Sequence, residues 1–297
     1  LARFRRPDFR TTISSPTYDQ TANHPVRAIL QAADGTLWIG SKGGGLVSIH
    51  HYGARALERV ATYDVGAGRS YNSVFALASA ADGTLWIGTD GKGLLRMTQG
   101  DDRPRPLDLG SAPLASGLES VYCICQTDAQ TLYAGTSGGG LFRLTIDGAR
   151  VVDAVAYTAN PQSPSSSIGS DRIYALADDG DRLWIATRSG GLSRLDKQSG
   201  EVRTLRAADQ PDGICCDDVI SLLRDSGGRL WVGTTSGLSL CHNPADETPS
   251  FRTIDRGSGL PNDNIHAIRE DSYHNIWVST SHGIARIDST ATHVLSF

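Results

Sequence analysis

Residues 34–40 read DGTLWIG, and residues 82–88 read DGTLWIG again. A heptapeptide that recurs inside a chain of 297 residues marks a repeated structural unit. Related segments occupy six places, with Trp38, Trp86, Tyr133, Trp184, Trp231 and Trp277 at the central position. The intervals are 48, 47, 51, 47 and 46 residues, and all five Trp of the chain stand at this one position. Any fold for this chain must therefore be assembled from copies of one unit.

Each unit reads in the same order. A first apolar stretch (VRAIL, VFALA, VYCIC, IYALA, VISLL, IHAIR) leads through a tight turn to the aromatic stretch. A Gly-rich turn follows, then a third stretch (LVSI, LLRM, LFRL, LSRL, LSLC, IARI) and a more variable fourth, such as EVRTLRA at 201–207. These runs are rich in Val, Ile, Leu and aromatics, and they are too short for amphipathic helices. Asp34-Gly35 and Asp82-Gly83 suit the positive φ of hairpin turns. Four antiparallel strands per unit predict a propeller blade, and so an all-β propeller. Small residues inside the first strand (Ala28, Ala76, Cys123, Ala175, Ser221, Ala267) predict close packing there.

The units place six blades at 25–64, 72–109, 119–158, 171–207, 217–255 and 263–297, within one β-propeller domain spanning 1–297. LARF at 1–4 matches the third-strand pattern of IARI at 284–287, and RPDFRTTI then reads as a fourth strand. Residues 1–24 are therefore expected to form the outer strands of an incomplete blade plus a loop. Six full blades and an N-terminal outer half-blade predict a seven-bladed propeller in the parent. The chain opens on Leu1 rather than Met and is expected to be a part of something longer.

The pattern V-x-x-I-x-x-D-x-x-G-x-LWIGT-x-x-GGL-x-R resembles the two-component regulator propeller repeat, and the segment GLPNDNIHAIREDSYHNIWVSTSHGIARID at 259–288 is close to that pattern. The resemblance covers essentially the whole chain. The Trp-Asp and Gly-His marks of WD40 repeats are absent from it. It implies a periplasmic ligand sensor ahead of a membrane span and an output module, commonly a histidine kinase or a diguanylate cyclase. No output machinery is found in this sequence.

The formal net charge of −4 gives no support for nucleic acid or an anionic membrane as main partner. No stretch approaches the 18 apolar residues of a membrane-spanning helix, so no direct membrane insertion is expected, and no signal peptide opens the sequence. Five Cys without a CxxC pair or zinc spacing define neither a disulfide scaffold nor a metal site. SKGGG and TSGGG lack the GK[ST] of a phosphate loop. DDGD at 178–181 lacks the remaining ligands of a calcium loop. No catalytic residue, metal or cofactor is assigned.

Candidate binding residues come from where the units differ. The second position of the first strand carries Arg27, Phe75, Tyr122, Tyr174, Ile220 and His266, although its neighbours are uniform. Aromatic faces with polar tips there would suit a sugar or amphipathic ligand. The plainer alternative is packing against the next blade. Lys42, Arg188 and His282 in the turn after the aromatic strand would form a polar rim, or simply a solvated surface. The expected ligand is an extracytoplasmic small molecule or glycan fragment, with homodimerisation through the parent. The alternatives are a protein-interaction or dimerisation platform, and a propeller lyase using His24, His266 or His282.

Overall fold

The computed structural model describes residues 24–50, 59–66, 72–110, 117–163 and 166–297. The expected half-blade at the N-terminus lies outside the described residues. The architecture is all-β: six sheets of four antiparallel strands, each in simple sequential order. Blade 1 comprises β1 (Val26–Gln31), β2 (Leu37–Ser41), β3 (Gly45–His50) and β4 (Arg59–Tyr63). Blade 2 comprises β5 (Val74–Ser79), β6 (Leu85–Thr89), β7 (Leu94–Met97) and β8 (Arg105–Pro106). Blade 3 is β9 (Val121–Gln126), β10 (Thr131–Thr136), β11 (Leu141–Asp147) and β12 (Arg150–Tyr157). Blade 4 is β13 (Ile173–Asp179), β14 (Arg182–Thr187), β15 (Gly191–Asp196) and β16 (Val202–Leu205). Blade 5 is β17 (Val219–Arg224), β18 (Leu230–Thr234), β19 (Gly237–Cys241) and β20 (Arg252–Ile254). Blade 6 is β21 (Ile265–Glu270), β22 (Ile276–Thr280), β23 (Gly283–Ile287) and β24 (Val294–Ser296). A 3-10 turn at Arg256–Ser258 is the only helical segment among the described residues.

The chain divides into two compact units, Arg6–Ala156 with blades 1 to 3 and Tyr157–Phe297 with blades 4 to 6. Within the first, β1 and β9 both pack against β5; within the second, β13 and β21 both pack against β17. Within each unit, neighbouring blades thus meet through their first strands.

The core lies between blades. Trp184 packs with Val219, Leu222, Leu230 and Val232 of blade 5, and Trp231 packs with Ile265, Ile268, Ile276 and Val278 of blade 6. Trp86 packs likewise on Val121, Leu132 and Ala134 of blade 3. Burial of these apolar surfaces supplies the main drive for blades to associate. The indole N–H still needs an acceptor in such a place. Trp231 and Trp277 donate to Asp225 and Asp271 at 2.7 and 2.8 Å, each six residues upstream in the preceding turn. Trp184 uses Asp179, and Trp86 reaches Gln126 of the next blade.

The two small residues of the aromatic strand have separate structural causes. A Cβ on Gly40 would stand 2.5 Å from Val74 Cγ1, and one on Gly233 would stand 2.7 Å from Ile265 Cγ2. The glycine is the seat for the first residue of the next blade. The hydroxyls of Thr89, Thr136, Thr187 and Thr234 donate to the carbonyls of Gly93, Gly140, Gly191 and Gly237, closing the Gly-rich turn from inside.

Candidate functional site

The loops on one side of each unit are stitched into a layer. The N–H groups of Gly45, Gly93, Gly191 and Gly237, at the end of the Gly-rich turns, donate to the carbonyls of Asn72, Glu119, Asp217 and Asp263 just ahead of the next blade's first strand. A second set of bonds, such as Asp90 N–H to Ser73 and Arg188 N–H to Arg172, ties the same turn to its own blade. Turn and entry loop therefore share one face within each unit.

The variable position of the first strand opens onto that layer for a definite reason. Val26 and Ala28 pair with successive residues of β2, Ser41 and Gly40, so Arg27 is an extra, unpaired residue. The same register slip falls at Phe75, Tyr122, Tyr174, Ile220 and His266 in the other five blades. A β-bulge at this place re-aims the side chain of the extra residue. Val74, Val121, Ile173, Val219 and Ile265, each one residue earlier, are 0% exposed. The bulge residues are all half-buried or exposed.

In the first unit the bulges build a stack. The Arg27 guanidinium lies over the Phe75 ring at 5.5 Å, and Phe75 stacks on Tyr122 with centroids 4.8 Å apart and planes 11° apart. Because β5 lies between β1 and β9, Arg27 and Tyr122 approach Phe75 from opposite sides. Lys42 is exposed, and its N–H is bonded to Pro25 at the entry to β1. Asp90 and Glu119 share this layer. Ser120 Oγ donates to Asp90 at 2.7 Å, and Gly117 N–H donates to Glu119 at 3.1 Å.

In the second unit Arg188 Nη1 donates to Tyr174 Oη at 3.2 Å, and His266 Nε2 lies 3.0 Å from Ser281 Oγ. His282 is exposed, anchored through its backbone N–H to Thr280 Oγ1. Asp218 accepts from the N–H of Ser189, which holds a left-handed φ of 55° in the Gly-rich turn. Cys216 Sγ lies 3.5 Å from Thr235 Oγ1 in the same layer. Thus the structure brings Arg27, Phe75 and Tyr122 together, and Tyr174 with Arg188. It pairs His266 with Ser281 and leaves Lys42 and His282 as solvent-facing groups. Ser281, Ser120 and Asp218 are neighbours that the strand pattern gave no reason to single out, since they stand just outside the strands.

Other titratable groups are committed elsewhere. Asp178 and Asp179 of DDGD are held by Lys197 and Arg224. Burial pushes the Cys123 thiol far above its usual pKa. On the turns joining first and second strands, Ser226 Oγ, Glu270 and His274 lie within 2.9 Å of one another. Both contacts to the imidazole fall on Nδ1, and the Ser hydroxyl donates directly to the carboxylate. A hydrolytic triad needs the base between nucleophile and acid, one ring nitrogen to each. Among the described residues no group of three or more His, Cys, Asp or Glu could hold a metal ion.

The family profile described as two component regulator propeller matches residues 21–43, 68–91, 213–236 and 259–282. Four segments of the chain match two-component regulator propeller repeats. Each match runs from the entry loop through the first strand to the Gly-rich turn, so these repeats include the bulge residues Arg27, Phe75, Ile220 and His266. Among solved structures, the chain is similar to the extracellular domain of a protein assigned as a hybrid two component system of B. thetaiotaomicron. Identity is 25%, the TM-score 0.74, and the match covers 93% of this chain and 34% of that one. An extracellular domain assigned to a one component system of the same organism matches at 20% identity and TM-score 0.72, over 92% and 36% of the two chains. The propeller-repeat chain thus spans about a third of the length of both. Virginiamycin B lyase from Staphylococcus aureus matches at 17% identity and TM-score 0.66, over 92% and 83%. The last two likenesses speak to the fold alone. No curated protein is similar enough to count as a relative of this repeat protein. Among the described residues no helix is long and apolar enough to cross a membrane.

Proposed function

We propose that this chain is the ligand-sensing propeller of a membrane-anchored bacterial signalling protein, a two-component sensor kinase or diguanylate cyclase, that it lies in the periplasm, and that it is itself non-catalytic. The observation that carries this reading is the bulge in every first strand. It turns one side chain per blade out of the core and onto the loop layer of its own unit, Arg27, Phe75 and Tyr122 in the first and Tyr174 and His266 in the second, where they supply aromatic surface, donors and charge. Likeness to an extracellular two-component domain supports the compartment and the signalling context. The ligand is an extracytoplasmic small molecule or glycan fragment. Its binding biases the parent's output only as far as its affinity differs between the two output states.

The test is a thermal-shift and calorimetric screen of the chain against neutral and acidic oligosaccharides. At least one class should raise the melting temperature by several degrees, as binding to the folded state must. Tyr122→Ala, or Tyr174→Ala where the ligand sits on the second unit's layer, should weaken that binding about tenfold or more. A screen in which no member binds, or binding indifferent to both substitutions, overturns the reading.

A further inference from the structure

We propose that the Arg27–Phe75–Tyr122 stack is the receptor for a carboxylate on the ligand, so that the sensed molecule is an acidic rather than a neutral glycan fragment; this rests on the sensing role proposed above. Phe75 stacks with Tyr122 at 4.8 Å and carries the Arg27 guanidinium at 5.5 Å, and the strands that bring these two, β9 and β1, both pack against β5, which implies that they cover opposite faces of the ring. With both faces covered, Phe75 has none left for a sugar ring. Its role is to hold its neighbours. What the stack presents to solvent is its rim.

The guanidinium is the group on that rim with unused capacity. Arg27 is exposed, and its one contact among the described residues is the Phe75 ring. Among the described residues five other arginines are compensated by carboxylates, as Arg224 is by Asp179 and Arg229 by Asp225. A cation over a ring keeps its charge, because the ring orients the ion without neutralising it. A guanidinium lying on an aromatic face also keeps its N–H fork in its own plane. That fork matches the two oxygens of a carboxylate in a bidentate pair. Lys42 adds a second positive charge on the same loop layer. The acids Asp64, Asp90 and Glu119 of the same layer already accept bonds from Asn72, from Ser120 and from the backbone of Gly117.

The experiment compares trimers and tetramers of galacturonate and mannuronate with maltose- and cellulose-derived oligomers of equal length, by calorimetry on the whole chain. The uronates should bind and the neutral oligomers should bind at least tenfold more weakly. Raising the salt from 50 to 500 mM should weaken uronate binding, because exposed charge pairs are screened. Arg27→Gln should lower uronate affinity about tenfold or more without changing the melting temperature of the free protein, since the side chain is exposed. Arg27→Lys should rescue only part of it, as an ammonium lacks the planar fork. Uronate binding unchanged in Arg27→Gln overturns the inference. So does neutral binding as tight as uronate binding, although the sensing role then stands. Failure of both classes overturns the inference and the sensing role together.

Discussion

At the residue scale, what stabilises each unit is the satisfaction of polar groups that the interblade core would otherwise strand. Asp225 is 4% exposed and accepts from the Trp231 indole, from the Arg229 backbone and from Arg229 Nε. Burial alone would raise its pKa, but these donors outweigh burial and hold it below the usual carboxylate range. Asp225→Ala leaves a buried indole N–H without its acceptor and a half-buried guanidinium without its carboxylate, holding only the Ser289 carbonyl. The expected loss is about 3 to 5 kcal/mol in urea unfolding. Asp271 does the same work for Trp277. Burial pushes it up, yet the Trp277 indole, the Asn275 amide and two backbone N–H groups bring it down to about 2. An unfolded Asp titrates near 3.9, so the native state binds fewer protons than the unfolded state between about 4 and about 2. Stability from this group is therefore fully present above pH ~4 and is lost as the pH falls through that window. Asp271→Asn should flatten the acid limb of a plot of urea midpoint against pH, and an unchanged limb would assign the acid sensitivity to other carboxylates.

At the scale of the element, the second strand explains why the heptapeptide recurs. Its glycine receives the next blade's first residue, so a methyl group there has no room. Gly233→Ala would place a Cβ 2.3 Å from Ser221 Oγ and 2.7 Å from Ile265 Cγ2. The expected cost is about 1 to 3 kcal/mol from forced displacement, read as a lowered urea midpoint at constant m-value. Much of this was legible in the sequence. Alternating runs and Asp-Gly turns mark strands, and the recurring Trp, Gly and Thr mark fixed roles. The bulge was not legible, because an extra residue leaves no mark in a run already apolar on both sides. Its trace was compositional: Arg27, Phe75, Tyr122, Tyr174, Ile220 and His266 vary where their neighbours do not. The stacking of Arg27, Phe75 and Tyr122 was hidden for a different reason. It joins three blades, and spacing along one strand says nothing about which side chains meet across strands of separate sheets.

At the scale of the whole molecule, stability is distributed as in other repeat arrays, where each unit leans on its neighbours. The same repeat position therefore carries different energetic weight in different blades. Val26, at the start of β1, is 47% exposed, whereas Val121, its equivalent in blade 3, is 0% exposed. Val121→Ser should cost about 2 to 4 kcal/mol, through lost apolar burial and an added hydroxyl without a partner. Val26→Ser should change stability by less than about 0.5 kcal/mol. Equal losses in paired urea melts would contradict this account of interblade support.

The bulge in each first strand has a consequence for how such a molecule changes over time. The extra residue falls at a slip in the strand register and in blades 2 to 6 is less buried than the residue before it, so its identity constrains folding less than that of its neighbour. Each of these repeats thus has one address at which a mutation alters what the loop layer offers at less cost to folding than a change one residue earlier. Such addresses, rewritten one at a time, let a lineage exchange one recognised chemistry for another without passing through an unfolded intermediate sequence.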